Sequence, residues 1–281
     1  ARCLAALSRQ TGVEKLEILV PWDGSWGPSA ALEGMYRGVR FLSVPSARPR
    51  TTAELRALGA RAASGEIVAL TEDHCAPEPD WCARILEAHR LGHAAVGGAV
   101  EKITPDGILP WAFFLADYLR YMNPLPEGPA AGLTDCNVSY KRAALEAIAT
   151  VWAVEFHEHL VHAALAARGG TLWFSPRVVV RQGRPIGWRA ALHDRYAYGR
   201  LFGSTRVAGR PSLARAVAAC LIPPLQIARI ASGVARRRRC AGQFLRCLPA
   251  LAVLATAWAC GEFAGYLTGR PDPSLTPGDV S

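Results

Sequence analysis

The chain has 281 residues, enough for one large domain or a domain with an appendage, and 51% of them are hydrophobic, close to the globular norm. Its 32 basic residues outnumber 23 acidic ones for a net charge of +9, and since only Lys15, Lys102 and Lys141 are lysines, arginine carries the basicity, which suits phosphate and anionic lipid. No Arg–aromatic interleaving or zinc-finger spacing supports a nucleic-acid partner, and the eight cysteines contain no CxxC pair, as expected of free thiols in a reducing compartment.

The chain opens inside an amphipathic helical pattern near residues 3 to 11, with Leu4, Leu7 and Val13 apolar and no initiator Met, so a truncated start is expected. A strand is predicted over 16–20 (LEILV), a turn at WDGS (22–25), a helix over Ser29–Tyr36 and a strand over 39–44. A helix over Ala53–Ala63 leads to a strand over 67–70. Beyond lie a helix from Trp81 to about Leu91, a strand near Ala94–Val100 and a Pro/Gly-rich loop over Pro124–Gly132. A helix over Glu155–Ala167, ended by Gly169 and Gly170, precedes a strand over 172–181. This alternation predicts an α/β fold, a mostly parallel sheet flanked by helices.

The segment SGEIVALTEDHCAPEPDW (64–81) is the most informative. Ile67 to Leu70 form a buried strand, the prolines beyond forbid its continuation, and Glu72, Asp73 and His74 therefore sit at the strand's carboxyl end. In an open α/β sheet ligands bind at that edge, and two carboxylates beside an imidazole suit a divalent cation holding a diphosphate. A solvated loop after a core strand is the plainer alternative.

Four ordered segments, LEILVPWDGS (16–25), ELRALGARAASGEIVALTEDHCAPEPDW (54–81), DCNVSYKRAAL (135–145) and FHEHLVHAALAARGG (156–170), resemble an inverting family 2 glycosyltransferase of the GT-A fold over roughly residues 1–205. The resemblance implies a Rossmann-like nucleotide-binding fold whose first strand is missing before Ala1. It implies that Asp23 contacts the nucleotide, that Arg56 and Asp73 contact the donor's phosphates, and that Glu72, Asp73 and His74 hold a divalent cation, Mn2+ or Mg2+. It further implies that Asp135 and Asn137 face acceptor or donor-sugar hydroxyls and that Glu158 is the catalytic base, with Glu155 a rival. Trp22, His74 and His159 stand where the family usually has acids; imidazole is a poor Mg2+ ligand, which favours a softer ion or leaves Asp73 to carry the metal. Each residue also has a plainer role: Asp23, Asp135 and Asn137 in turn chemistry, Arg56 on a solvated helix face, Glu158 with His162 and Glu155 with His159 as i, i+4 helix pairs. His157 and His162 lie five apart, about 140° around a helix, which excludes an HExxH zinc site. Arg181, Gln182, Arg184 and Trp188 lack the spacing of a processive synthase, and Arg184, Arg195 and Arg200 remain candidates to neutralise the leaving diphosphate.

After Arg210 the chain becomes apolar: residues 206–270 are predicted to form membrane-associated helices and 271–281 a disordered tail. Leu248–Leu267 is long enough to span a bilayer, although Glu262 also fits a helix lying in the interface, and Ala214–Ile230 reads as interfacial. The resulting expectation is a glycosyltransferase (EC 2.4 class) at the cytoplasmic face of the cell membrane, using a nucleotide-sugar donor and a lipid-linked or cell-envelope glycan acceptor. The alternatives are a non-catalytic GT-A-like module that binds a membrane or partner, and a nucleotidyltransferase.

Overall fold

The computed structural model describes residues 2–11, 15–23, 30–36, 38–44, 48–103, 107–207 and 209–272. Gly24 and Ser25 of the WDGS element, and residues 273–281 of the expected tail, lie outside them. The chain forms two compact units, one of residues 1–101 and 121–183, the other of residues 102–120 and 184–281.

The first unit carries α1 (Arg2–Leu7), β1 (Ile18–Trp22), α2 (Ala30–Met35), β2 (Val39–Ser43), α3 (Thr52–Ala62), β3 (Ile67–Thr71), β4 (Cys75–Pro77), α4 (Trp81–His89) and β5 (Ala95–Lys102). The second unit takes α5 (Ile108–Asp117), after which the chain returns to the first with β6 (Gly128–Pro129), β7 (Asn137–Lys141), α6 (Arg142–Glu146), α7 (Ala149–Trp152), α8 (Glu158–Ala167) and β8 (Leu172–Gln182). The second unit is completed by α9 (Trp188–Val207), α10 (Leu213–Ala218), α11 (Ile222–Arg237) and α12 (Ala241–Thr268).

The α/β class and the predicted elements stand, with ends displaced by a few residues. Strand direction differs from expectation. β1 and β2 pair in parallel, Ile18 opposite Val39, but the larger sheet, ordered β3-β7-β5-β8-β4 with β6 on β8, pairs β3 with β7, β5 with β7, β4 with β8 and β6 with β8 antiparallel. Continuous apolar runs report burial on both faces, which helices on both sides provide whatever the strand direction. Six residues of β5, from Ala95 to Val100, are buried without a break, and the core beside them is built from Val138, Tyr140, Trp152, Phe156, Val161 and Leu165. Trp152 and Phe156 rings lie 5.5 Å apart and Phe156 stands edge-on to Tyr140 at 5.6 Å.

In the second unit, α9 and α12 meet at glycines spaced by four. A Cβ on Gly199 or Gly203 would lie 2.3 or 2.5 Å from the carbonyl oxygens of Trp258 and Glu262, and one on Gly261 or Gly265 would lie 2.1 or 2.3 Å from those of Tyr196 and Arg200. Only glycine permits this backbone approach, the geometry of close-packed membrane helices. Leu213–Arg237 and Ala241–Thr268 are each long and apolar enough to cross a membrane by length and composition alone. Glu262 is buried and accepts hydrogen bonds from Trp258 Nε1 and, at 2.8 Å, from the Tyr266 hydroxyl, which accounts for a carboxyl group in so apolar a helix.

Candidate active site

The site lies at the carboxyl end of β3, within the first unit. Helix α3 is started by a full capping box: the Thr51 hydroxyl accepts from Glu54 N at 3.1 Å and the Glu54 carboxylate accepts from Thr51 N at 2.9 Å. Ala53, Ala57 and Ala60 bury one face of the helix, and Arg56 projects beside them. The backbone of Phe156 donates to Ala53 O at 2.9 Å, which ties the segment before α8 to α3. That bond brings Glu158, the first residue of α8, to Arg56.

Arg56 is the hub of the site. Its Nη1 pairs with Glu158 Oε1, and its Nη2 with Glu72 Oε1 at 2.8 Å and Asp135 Oδ2 at 3.2 Å. One guanidinium thus joins three carboxylates from separate segments, using the fork geometry that lysine lacks. The side chains of Arg56, Glu72 and Glu158 are 15%, 19% and 17% exposed, whereas Asp135 is 43% exposed. Burial pushes the Glu158 carboxyl above its ordinary range, opposed by the Arg56 charge and reinforced by Asp135. Arg56 itself stays charged, because its three carboxylates outweigh the cost of burial.

Glu72 to Cys75 form a tight turn closed by Cys75 N donating to Glu72 O at 2.9 Å. His74 Nδ1 lies 3.1 Å from Asp73 Oδ1, and His74 Nε2 lies 2.9 Å from Glu72 Oε2 without the alignment of a hydrogen bond. The two carboxylates outweigh burial and hold the imidazole up to about 9. Asp73 itself reaches into solvent, its side chain 99% exposed. Ligand atoms of Glu72, His74 and Cys75 lie within 4.8 Å of one another. Sequence reasoning did not single out Cys75, although its place directly after the acidic triplet was visible.

The structure brings Arg56, Glu72, His74, Asp135 and Glu158 together. Asn137 does not join them. It is wholly buried, donates both amide hydrogens, to Ala99 O at 2.8 Å and Val178 O at 2.9 Å, and accepts from Trp81 Nε1 at 2.8 Å. Gly98 makes room for it, since a Cβ there would stand 2.6 Å from Asn137 Nδ2 and 1.9 Å from Val178 O. Asp23 follows β1 and accepts from Arg50 N at 3.0 Å. Glu155 lies before α8 and sits 3.4 Å from His157 Nε2. His162 is paired with the Tyr140 hydroxyl at 3.0 Å instead of with Glu158. In the second unit, Arg184 pairs with Asp194 at 2.9 Å, Arg195 lies over the Phe113 ring at 4.3 Å, and Arg200 is 3.6 Å from Asp272.

Buried polar atoms without a hydrogen-bond partner mark the strand ends: Trp22 Nε1 at the end of β1, Thr71 Oγ1 at the end of β3, and nearby Arg50 Nε and His74 Nε2. Groups left so in a folded interior call for a ligand or ordered water.

The model of the family described as glycosyl transferase family 2 matches residues 1–149. No curated protein matches. Among solved structures, the chain is similar to GalNAc-T7 with UDP, GalNAc and Mn2+ (14% identity, TM-score 0.47, 66% of this chain and 44% of that one). It is similar also to residues 1–349 of TarS from S. aureus (14%, 0.45, 76% and 63%). A third is mannosyltransferase PcManGT from Pyrobaculum calidifontis with GDP-Man and Mn2+ (16%, 0.49, 90% and 81%). The chain spans less than two thirds of the first two.

Proposed function

Because the chain belongs to glycosyl transferase family 2, we propose that it transfers a sugar from a nucleotide-diphosphate donor to a hydroxyl acceptor with inversion at the anomeric carbon. The observation that carries this reading is Glu158, a half-enclosed carboxylate raised by burial, held by Arg56 beside Glu72 and Asp135 at a strand's carboxyl end. Direct displacement needs a base to take the acceptor hydroxyl's proton as the oxygen attacks, and a carboxyl group above its ordinary range is better matched to that task near neutral pH.

In this reading Asp23 and the unpartnered groups near it hold the nucleotide. The Glu72–Asp73–His74 turn faces the diphosphate through a divalent cation, which would supply charge neutralisation for the leaving group. His74 Nε2, buried and without a hydrogen-bond partner, and the adjacent Glu72 carboxylate are donors of the right kind. Asp135 contacts the sugar or acceptor. Arg56, which the family resemblance assigns to the phosphates, holds the base instead. The apolar helices and the arginines at 236–239 favour a lipid-linked or cell-envelope acceptor at the cytoplasmic face of the cell membrane.

The test is calorimetric titration of UDP and then GDP into the full chain, with and without Mn2+, on the native protein and on Glu158→Gln. The reading expects binding of one nucleotide in both proteins, and sugar transfer by the native chain only. A chain that binds neither nucleotide rules out a UDP- or GDP-linked donor and favours the non-catalytic module.

A further inference from the structure

We infer that α10 and α11 lie flat on an anionic lipid surface as an in-plane anchor, one face seated at the headgroup boundary, instead of crossing the bilayer. The arrangement rests on the membrane placement proposed above and is independent of the donor.

Leu213, Val217, Leu221 and Leu225 recur every four residues, so each stands about 40° around the helix from the last, and all four are 60–68% exposed. The opposite face is taken up by packing within the second unit. Ala216 and Ala219 join Val207 and Tyr266 in one cluster, Ile230 and Val234 are buried, and a Cβ on Gly233 would stand 2.9 Å from the Leu119 side chain. Single exposed leucines are ordinary on a protein surface, but a row of this length along one helix marks a face that lipid or a partner covers.

Charge decides between them. From Arg210 to Arg246 the chain carries eight arginines and no Asp or Glu, a block that repels a second copy of itself and is drawn to a surface of lipid phosphates. Arg229, exposed, continues the row one step beyond Leu225, and Arg236, also exposed, lies almost in line with it seven residues on. The apolar strip is thus bordered by guanidinium groups whose long stems reach headgroup level when the helix lies in the plane. The basic border runs on to Arg238, where left-handed backbone at Arg238 (φ 52°) and Cys240 (φ 60°) turns the chain into α12.

By length Leu213–Arg237 could cross a membrane. Every stretch of about 20 residues within it, what a bilayer core requires, includes Arg229. The one acidic residue between 206 and 270, Glu262, is already engaged by Trp258 and Tyr266, so a crossing helix would carry that arginine into hydrocarbon with no acidic partner from this region. Lying in the interface removes the conflict.

The experiment reconstitutes the full chain, carrying Cys220→Ser, Cys240→Ser and Cys260→Ser to remove the thiols that are not buried, in mixed phosphatidylglycerol–phosphatidylcholine vesicles. A thiol-linked fluorophore is placed in turn through Leu213→Cys, Val217→Cys, Leu221→Cys and Leu225→Cys, and through Val253→Cys, exposed on α12, as a reference; the triple serine chain gives the background. Quenching by lipids with a nitroxide near the headgroup or deep in the acyl chain reads the depth of each. The four reporters are expected at one depth, about 5–10 Å below the headgroups, and at least about two-fold more strongly quenched than in phosphatidylcholine alone. A crossing helix would instead separate residues 213 and 225 by about 18 Å in depth, at about 1.5 Å per residue. Depths that climb in that way, equal quenching in the two vesicles, or reporters that escape lipid and self-quench against a second copy overturn the inference. Unquenched reporters on α10 and α11 beside a quenched residue 253 sink the in-plane anchor alone, whereas no quenching at any position sinks the membrane placement with it. Native Cys220, labelled in a chain that keeps it, repeats the depth measurement with the row intact, and UDP and GDP titrations of the same samples report on the donor separately.

Discussion

Replacing Asn137 by aspartate separates a sugar contact from a structural staple, because the two side chains have nearly the same shape. The change removes both amide hydrogens, so the carbonyls of Ala99 and Val178, at 2.8 and 2.9 Å, lose their donor and face a carboxyl oxygen in a fully buried space. Each buried group left unsatisfied costs about 1–3 kcal/mol, and a carboxyl group there must also take up a proton. A loss of at least about 3 kcal/mol is expected, equivalent to about 10 °C in midpoint for a unit of this size. Thermal and urea unfolding in mild detergent, followed by tryptophan fluorescence, reads it directly. Asn137→Asp that unfolds like the native chain but binds sugar less well would refute the structural role and restore Asn137 to the acceptor side of the site.

His89 and His162 are buried and held down to about 4, chiefly by desolvation, His89 against the Ser139 hydroxyl with Lys141 nearby and His162 against the Tyr140 hydroxyl with His159 nearby. Their folded-state values lie below the ordinary 6.5, so their stabilisation is complete above pH 6.5 and is lost as pH falls toward 4, by about 3 kcal/mol each at most; urea midpoints between pH 7 and 4.5 check this, and His162→Gln should flatten the dependence. Glu158 is raised by burial and lowered by Arg56; the acid limb of kcat/KM should therefore lie above the ordinary carboxylate range and move higher still in Arg56→Gln, and a limb unmoved by that change would remove Arg56 from the base's control. Gly203→Val and Gly261→Leu place side-chain atoms against backbone carbonyls that cannot yield, so each should destabilise the second unit by more than about 3 kcal/mol, seen as lost protection in amide exchange on α9 and α12.

Much of the site was legible because its chemistry sits at places that local rules can locate. The apolar run 67–70 followed by acid and proline fixed a strand end, Asp135 fell in a polar break just before a strand, and Glu158 fell in the first turn of a predicted helix. Partner identity was not legible. Arg56 reaches residues 16, 79 and 102 positions away, contacts that only the fold creates, so helix position alone could not tell a phosphate ligand from a carboxylate clamp. Asn137 was assigned to the sugar side by the family resemblance of DCNVSYKR, with turn chemistry as the plainer alternative, whereas the glycine pair 97–98 inside a buried strand was the signal that a polar side chain approaches the backbone there. Sheet direction failed for a different reason. Burial on both faces follows from covering helices, and the sequence reports the covering, not the order in which the chain supplies the strands.

The charge arrangement is the reason a cation enters the proposed mechanism. Glu72, Asp135 and Glu158 set three carboxylates around one guanidinium, Asp73 adds a fourth beside His74 in the adjoining turn, and His74 is the only other basic group in their hydrogen-bonded cluster among the described residues. A nucleotide diphosphate entering that field adds negative charge where Arg56 is already committed threefold. Its approach is repulsive unless a divalent ion arrives with it or waits at the turn. The same shortage serves the base. Because Arg56 is held by Glu72 and Asp135 as well as by Glu158, the guanidinium positions the carboxylate proposed as the base without neutralising it, and the desolvation that raises Glu158 is retained. An arginine paired with Glu158 alone would lower its affinity for a proton, so the two accompanying carboxylates are what would leave Glu158 basic enough for the proposed role.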